Sequence, residues 1–172
     1  QAHIRRKDHL WKPLGFLLLT LALEQARLAL PQDVPVGAVI VRDQEVVAAG
    51  CNLREREHSA LGHAETAAIA AACAHLGRWS LQGCTLYVTL EPCPMCAGAI
   101  VQARIDRVVF GAFDPKAGAC GSVCDLFAMP FAHRPSVTSG VMERECAALL
   151  EEFFTNLREK GKNSCNFSPN KI

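Results

Sequence analysis

The sequence has almost no excess of charge of either sign: eighteen Lys and Arg stand against seventeen Asp and Glu in 172 residues, a formal +1. That excludes a global positive field recruiting nucleic acid, so any contact with RNA or DNA has to be local. A long hydrophobic run is also missing. The apolar stretch Leu14 to Leu23, preceded by His3-Ile4-Arg5-Arg6-Lys7, has the outline of a signal peptide. It is too short to cross a hydrocarbon core of roughly 30 Å as a helix, and Glu24-Gln25-Ala26-Arg27 offers no small-x-small cleavage pattern, so it reads as a buried first helix and no membrane partner is expected. The nine cysteines, at 51, 73, 84, 93, 96, 120, 124, 146 and 165, are odd in number and lack the dense, regular spacing of a disulfide framework. A reducing, cytoplasmic setting is the reading that follows. No internal repeat, low-complexity tract or linker breaks the chain.

Half of the residues are apolar and a fifth are charged, enough for one sizeable core. The organisation read from the sequence is a basic arm at 1–12, one domain at 13–159 and a fraying polar tail at 160–172. A helix is predicted from Pro13 to Leu30, stopped by Pro31 and apolar all round in its first half, which predicts burial on several sides. Val36 to Val41 and Glu45 to Ala49 are β-rich runs joined through Asp43-Gln44 as a hairpin. A polar loop from Cys51 to Gly62 leads into a helix from Ala64 to Leu76, with Gly77 as its stop. Strands are predicted at Cys84 to Leu90 and Arg107 to Gly111, a small-residue helix at Pro94 to Arg104, and a short strand near Val137. Cys146, Leu149, Leu150, Phe153 and Leu157 mark one face of a last helix. Helices alternating with strands give a three-layer α/β/α domain.

Two short elements carry chemistry. His63-Ala64-Glu65 opens one helix and Pro92-Cys93-Pro94-Met95-Cys96 opens another. Cysteines at i and i+3 project from one face of a helical turn, so both sulfurs reach a single ion, and a helix N-terminus favours thiolate. Two thiolates and one imidazole are the ligand count of a catalytic zinc site that keeps its fourth position for water, whose pKa the metal lowers. Glu65, two residues after the histidine, stands near that water on a different bearing and suits proton transfer. Blander readings of Cys93-x-x-Cys96 are a structural zinc site, a redox pair, or plain core residues. The first needs a second CxxC or paired histidines, and the chain has one CxxC, with Cys120 and Cys124 four apart across a loop. His58 reads as solvated, His75 as a dipole contact near a helix C-terminus, and His133 with Arg134 as either a phosphate contact or a solvent-facing pair.

The H-x-E and P-C-x-x-C elements together resemble the zinc-dependent cytidine/deoxycytidylate deaminase superfamily, and within it the bacterial tRNA adenosine deaminases. The likeness runs over about residues 14–158. It includes Val34-Pro35-Val36-Gly37-Ala38-Val39, Tyr87-Val88-Thr89-Leu90-Glu91-Pro92-Cys93, Arg107-Val108-Val109-Phe110-Gly111-Ala112, and Lys116-x-Gly118-Ala119-x-Gly121-Ser122. It implies a five-stranded mixed sheet flanked by helices, and one zinc ion per subunit held by His63, Cys93 and Cys96. Glu65 is the implied general acid/base. A homodimer and an anticodon stem-loop of tRNA are the implied partners, with adenosine converted to inosine at the wobble position. Asn52 matches the position that bonds the target base, Asp114 and Lys116 match loop positions near its sugar and phosphate, and Pro35 and Ala64 complete the implied substrate contacts.

The chain departs from that pattern at three places: Ala132 stands before His133-Arg134 where the family often has Asn, Phe113 stands beside Asp114 where a basic residue occurs, and Phe153-Phe154 is followed by Thr155-Asn156-Leu157-Arg158 in place of a basic run. Each missing cation removes one phosphate contact and its counterion release. The alternatives are therefore a free nucleobase or nucleoside deaminase with the same zinc chemistry, and a zinc-stabilised binding module without catalysis. The presence of Glu65 argues against the module.

Overall fold

The computed structural model describes residues 11–164. Side-chain direction decides the layering. The strand β1 (Gly37–Arg42) is buried along nearly its whole length, as a central strand covered on both faces must be. Its Ala38 and Ile40 join one apolar cluster, while Val39 and Val41 join a second on the opposite face. The first cluster holds the helices α2 (Ala64–Leu76) and α3 (Pro94–Gln102). The second holds α1 (Trp11–Arg27) and α4 (Glu143–Ser164). Between them lies a five-stranded sheet in the order β2-β1-β3-β4-β5, with β2 at Glu45–Cys51, β3 at Cys84–Leu90, β4 at Arg107–Ala112 and β5 at Ser136–Thr138. The three-layer, five-stranded expectation therefore holds.

The sheet is mixed. β1 pairs antiparallel with both β2 and β3, whereas β3–β4 and β4–β5 are parallel. Asp43 and Gln44 form the hairpin turn with φ of 51° and 69°, the double positive-φ turn whose twist suits a two-residue connection. These directions bring four chain segments to a single edge of the sheet: the approach to β1, the exit of β2, and the exits of β3 and β4. The β3 and β4 exits are level, with Leu90 paired to Ala112. Open sheets bind ligands outside the carboxyl ends of their strands, and these four segments meet there.

Three local expectations change. α1 starts at Trp11 and ends at Arg27, not Leu30, because the chain tightens into three-residue turns at Leu28, Ala29 and Leu30 before Pro31. Its first half is not buried all round: Leu18 and Leu19 are inside, but Phe16 and Leu17 are more than half exposed. α4 continues to Ser164, past the boundary drawn at residue 160, although its packing fades earlier: Cys146 is buried and Leu157 is exposed. Residues 1–10 of the expected arm and 165–172 of the tail lie outside the described residues.

Candidate metal centre and active site

α2 and α3 start from the same edge of the sheet. His63 is the N-cap residue of α2, in extended conformation (φ −86°, ψ 154°), and Cys93 is the N-cap residue of α3 (φ −73°, ψ 172°), with Pro94 in its first turn. Neither side chain is used as a helix cap, and the two turn toward each other across the helix starts. α2 is held at this depth by contact with β2: a Cβ on Gly50 would meet the Ala64 carbonyl oxygen at 2.6 Å, so only glycine permits the approach. The consequence is a tight triad. His63 Nδ1 lies 3.6 Å from Cys93 Sγ and 3.4 Å from Cys96 Sγ, and the three ligand atoms all fall within 4.8 Å of one another. Among the described residues no other His, Cys, Asp or Glu group converges in this way.

The electrostatics suit a cation. A hydrogen bond from Cys96, against the cost of burial and with help from His63, holds the Cys93 thiol down at about 4, so it is thiolate at neutral pH. Cys96 is pushed strongly up by that same bond and by burial, and His63 is raised chiefly by its bond to Cys93. Metal binding displaces the protons that such a hydrogen-bonded group of sulfurs and imidazole carries, and the His/Cys/Cys donor set with helix N-termini behind it fits zinc. His63, Cys93 and Cys96 would hold one zinc ion, which would lower the pKa of a water bound to it.

Glu65 lies in the first turn of α2, 4% exposed. Burial pushes its carboxyl up to about 7, opposed by its own backbone N–H and, more weakly, by the Cys96 thiol, while the neighbouring Cys93 charge adds to the rise. It lines a cavity of about 500 Å³ together with His63, Cys93, Asn52, Arg54, Ala64 and Lys116. The apolar wall comes from Val34, Val36, Leu90, Phe113, Leu150 and Phe154. Asn52 and Ala64 both line the cavity. Asn52 is fixed by Nδ2 donating to Val34 O at 3.1 Å and by Oδ1 accepting from Arg54 N at 3.2 Å. Lys116 sits exposed at the rim. Pro35 is buried between Val34 and Val36 and does not itself line the cavity. Asp114 reaches the wall, but its Oδ1 accepts from the N–H groups of Lys116 (3.0 Å) and Ala117 (3.1 Å), so this carboxylate shapes its own turn.

Two sequence readings need correction or extension. His133 neither reaches toward a phosphate nor faces water alone: its Nε2 is 2.7 Å from the Ile105 carbonyl oxygen, a link between the loop and the start of β4. Glu91, in the sequence only part of a motif, is 2% exposed and is a hub. Its Oε2 accepts from Asp114 N at 3.0 Å and from the Ser122 hydroxyl, and its Oε1 accepts from Cys120 N at 3.1 Å and Ser122 N at 3.0 Å. Burial alone would raise this carboxyl, but the Ser122 hydroxyl and the three N–H groups outweigh it and hold the group below the ordinary carboxylate range. The one signal in the sequence was an acidic residue in an otherwise apolar strand exit, two positions before a metal ligand. Cys120 and Cys124 stand apart from the triad; Cys120 faces Asp125 in an isolated bridge.

Comparison with known proteins gives a consistent picture. Residues 16–112 match the family described as the cytidine and deoxycytidylate deaminase zinc-binding region. Over 131 residues the chain is 53% identical to the tRNA-specific adenosine deaminase of Bacillus subtilis, covering 76% of this chain and 81% of that one. A solved structure from work on A-to-I editing by tRNA:A34 deaminases at the wobble position superposes with a TM-score of 0.75 at 46% identity, over 77% of this chain and 98% of that one. Guanine deaminase from Bacillus subtilis is further away, with a TM-score of 0.56 and 32% identity over 91% of this chain and 96% of its own. With the zinc-ligating triad and the buried glutamate already assembled at one sheet edge, the extent of these matches shows that the chain belongs to the cytidine and deoxycytidylate deaminase family of zinc-dependent hydrolases.

Proposed function

We propose that the chain converts adenosine to inosine at the wobble position of a tRNA anticodon loop. The observation that carries this reading is the difference between two likenesses: 46% identity with a TM-score of 0.75 to a tRNA:A34 deaminase, against 32% and 0.56 to a guanine deaminase. The cavity of about 500 Å³ is of a size for a nucleoside, and its rim carries Arg54 and Lys116. Beside them stand Glu55 and Asp114, so the two cations are individual phosphate contacts and not a net positive field. An unpaired loop presents its bases splayed out, so one can enter a closed pocket without opening a duplex.

Zinc bound by His63, Cys93 and Cys96 supplies a Lewis acid that makes water nucleophilic at neutral pH. Asn52, fixed at the ends of β2 and in the approach to β1, offers its remaining amide hydrogen and lone pair to the purine edge. Glu65 moves the protons: one to the ring nitrogen as oxygen adds at C6, and one to the departing amine, so that water and adenosine become inosine and ammonia. Val36 and Leu90 exclude bulk water from the floor. The reading includes a homodimer and a cytoplasmic location; among the described residues no helix is long and apolar enough to cross a membrane.

Incubation with an anticodon stem-loop bearing adenosine at the wobble position, followed by digestion and chromatography, is expected to yield inosine in proportion to enzyme. Absence of inosine together with turnover of guanine, cytosine or a free nucleoside would overturn the RNA reading and favour the small-substrate one. Sedimentation of the zinc-loaded protein at two concentrations tests the dimer.

A further inference from the structure

The cavity has two kinds of wall. One is built from secondary structure: α2, α3 and the strand ends. The other is the irregular segment 113–122, which contributes Phe113, Asp114 and Lys116 to the cavity and contains no helix or strand of its own. A loop of that kind holds a substrate-competent shape only if its backbone donors are anchored. Internal bonds do part of this, through the Asp114 turn and Gly118 N donating to Asp114 O at 2.8 Å. Ala119 N donates to Pro92 O at 2.8 Å and Gly121 N to Cys124 O at 2.9 Å, and the side-chain anchoring converges on one carboxylate. Asp114 N, Cys120 N, Ser122 N and the Ser122 hydroxyl all donate to Glu91, and Gly118 passes so close that an added Cβ would collide with the Glu91 carboxylate. Glu91 lies in the same short connection as the ligand Cys93.

We propose that Glu91 is a positioning residue for substrate: it suspends the 113–122 wall from the β3–α3 connection and thereby sets Phe113, Asp114 and Lys116 at a fixed distance from the metal ligands. The role requires an acceptor-only group, because four donors converge on it and a carboxamide would present two donors of its own. Its effect falls on how the RNA is held, not on the chemical step, since Glu91 carries no proton to the reacting atoms. The inference rests on the RNA reading above for its kinetic part only.

The test uses the zinc-loaded protein and its E91Q variant. Metal content measured after gel filtration is expected to stay near one zinc per chain, and amide hydrogen exchange at 114, 120 and 122 is expected to accelerate. On an anticodon stem-loop, KM is expected to rise about tenfold with kcat within about threefold, the pattern of lost binding geometry. S122A, which removes one donor and leaves the carboxylate, folds without a buried charge change and is expected to show a smaller rise in KM of the same kind. Unchanged exchange in E91Q overturns the anchoring, whatever substrate the enzyme takes. A fall in kcat at constant KM in either variant overturns the positioning role, as does an unchanged KM in S122A when E91Q fails to fold. Failure of the wild-type enzyme to make inosine instead rejects the RNA reading and leaves the exchange result to decide the anchoring.

Discussion

Glu65 and Glu91 lie against the same cavity, 4% and 2% exposed, and the surroundings push their carboxyl groups in opposite directions. Glu91 accepts from a hydroxyl and three N–H groups, which together outweigh burial and keep it ionised. Glu65 has little beyond its own N–H and the Cys96 thiol, so burial prevails and lifts it to about 7. A carboxylate saturated with donors is a fixed acceptor that can hold a loop; one with few donors changes protonation near neutral pH and can carry a proton. Both side chains have almost no solvent contact, and the donor count, together with the Cys93 charge beside Glu65, separates a structural part from a reactive one.

The sharpest way to break the reactive half of this comparison is to remove the ion. Chelation, or replacement of Cys96 or His63 by Ala, is expected to bring deamination to background. Zinc should restore the chelated wild type and not the variants; full activity in a metal-free sample would end the assignment. Next comes Glu65→Gln, which keeps volume and zinc. The loss expected is about 10²–10⁴ in kcat, the range for a missing proton-transfer group. Metal content equal to wild type, measured on the same sample, separates this from ligand loss.

Most of the reactive half was legible in the sequence, and most of the supporting half was not. His63, Glu65, Cys93 and Cys96 could be placed because helix starts are marked locally, by Pro94 and by the loop-to-helix change at Ala64, and because i, i+3 spacing fixes a direction. The strands were legible as short β-rich runs bounded by turn residues, whereas the split of Ala38 and Ile40 from Val39 and Val41 between two faces was not, since all four are apolar. Glu91 was not legible as a hub because its donors come from residues 114, 120 and 122, beyond a helix and a strand, and nothing local marks a carboxylate that will be surrounded by backbone N–H groups. Phe16 and Leu17 were misjudged because apolar character alone does not say which side of a helix finds a partner.

Two substitutions probe the supporting half at the level of stability. Asp33 is fully buried at the other loop beside the cavity, accepting from Glu55 N at 2.6 Å and Arg56 N at 3.4 Å, with Arg56 Nε at 3.9 Å. Asp33→Ala strands those N–H donors and is expected to cost about 1–3 kcal/mol in chemical denaturation of the zinc-loaded protein. Gly118→Ala drives a methyl group into the Glu91 carboxylate and the Asp114 carbonyl, and about 1–3 kcal/mol is the cost of such overpacking. Wild-type stability in G118A would mean that the loop does not press on Glu91.

The smallest effect expected concerns pH, and it reads the opposite shifts of the two glutamates. In chelated protein, Glu65 has a folded-state pKa raised to about 7 above an unfolded value of about 4.3. Between those values the folded chain holds a proton that the unfolded chain releases, so this residue makes stability fall as pH rises through the window; below it the contribution vanishes. Glu91, lowered, works the other way: its contribution is present above the ordinary carboxylate range and is lost as pH falls through its folded value. Denaturation midpoints of chelated wild type and E65Q, followed from pH 4.5 to 7, should therefore diverge, with the wild type losing stability relative to the variant as pH rises. Parallel curves would show that Glu65 is better solvated than its position implies, and the distinction between the two glutamates would lose its physical basis.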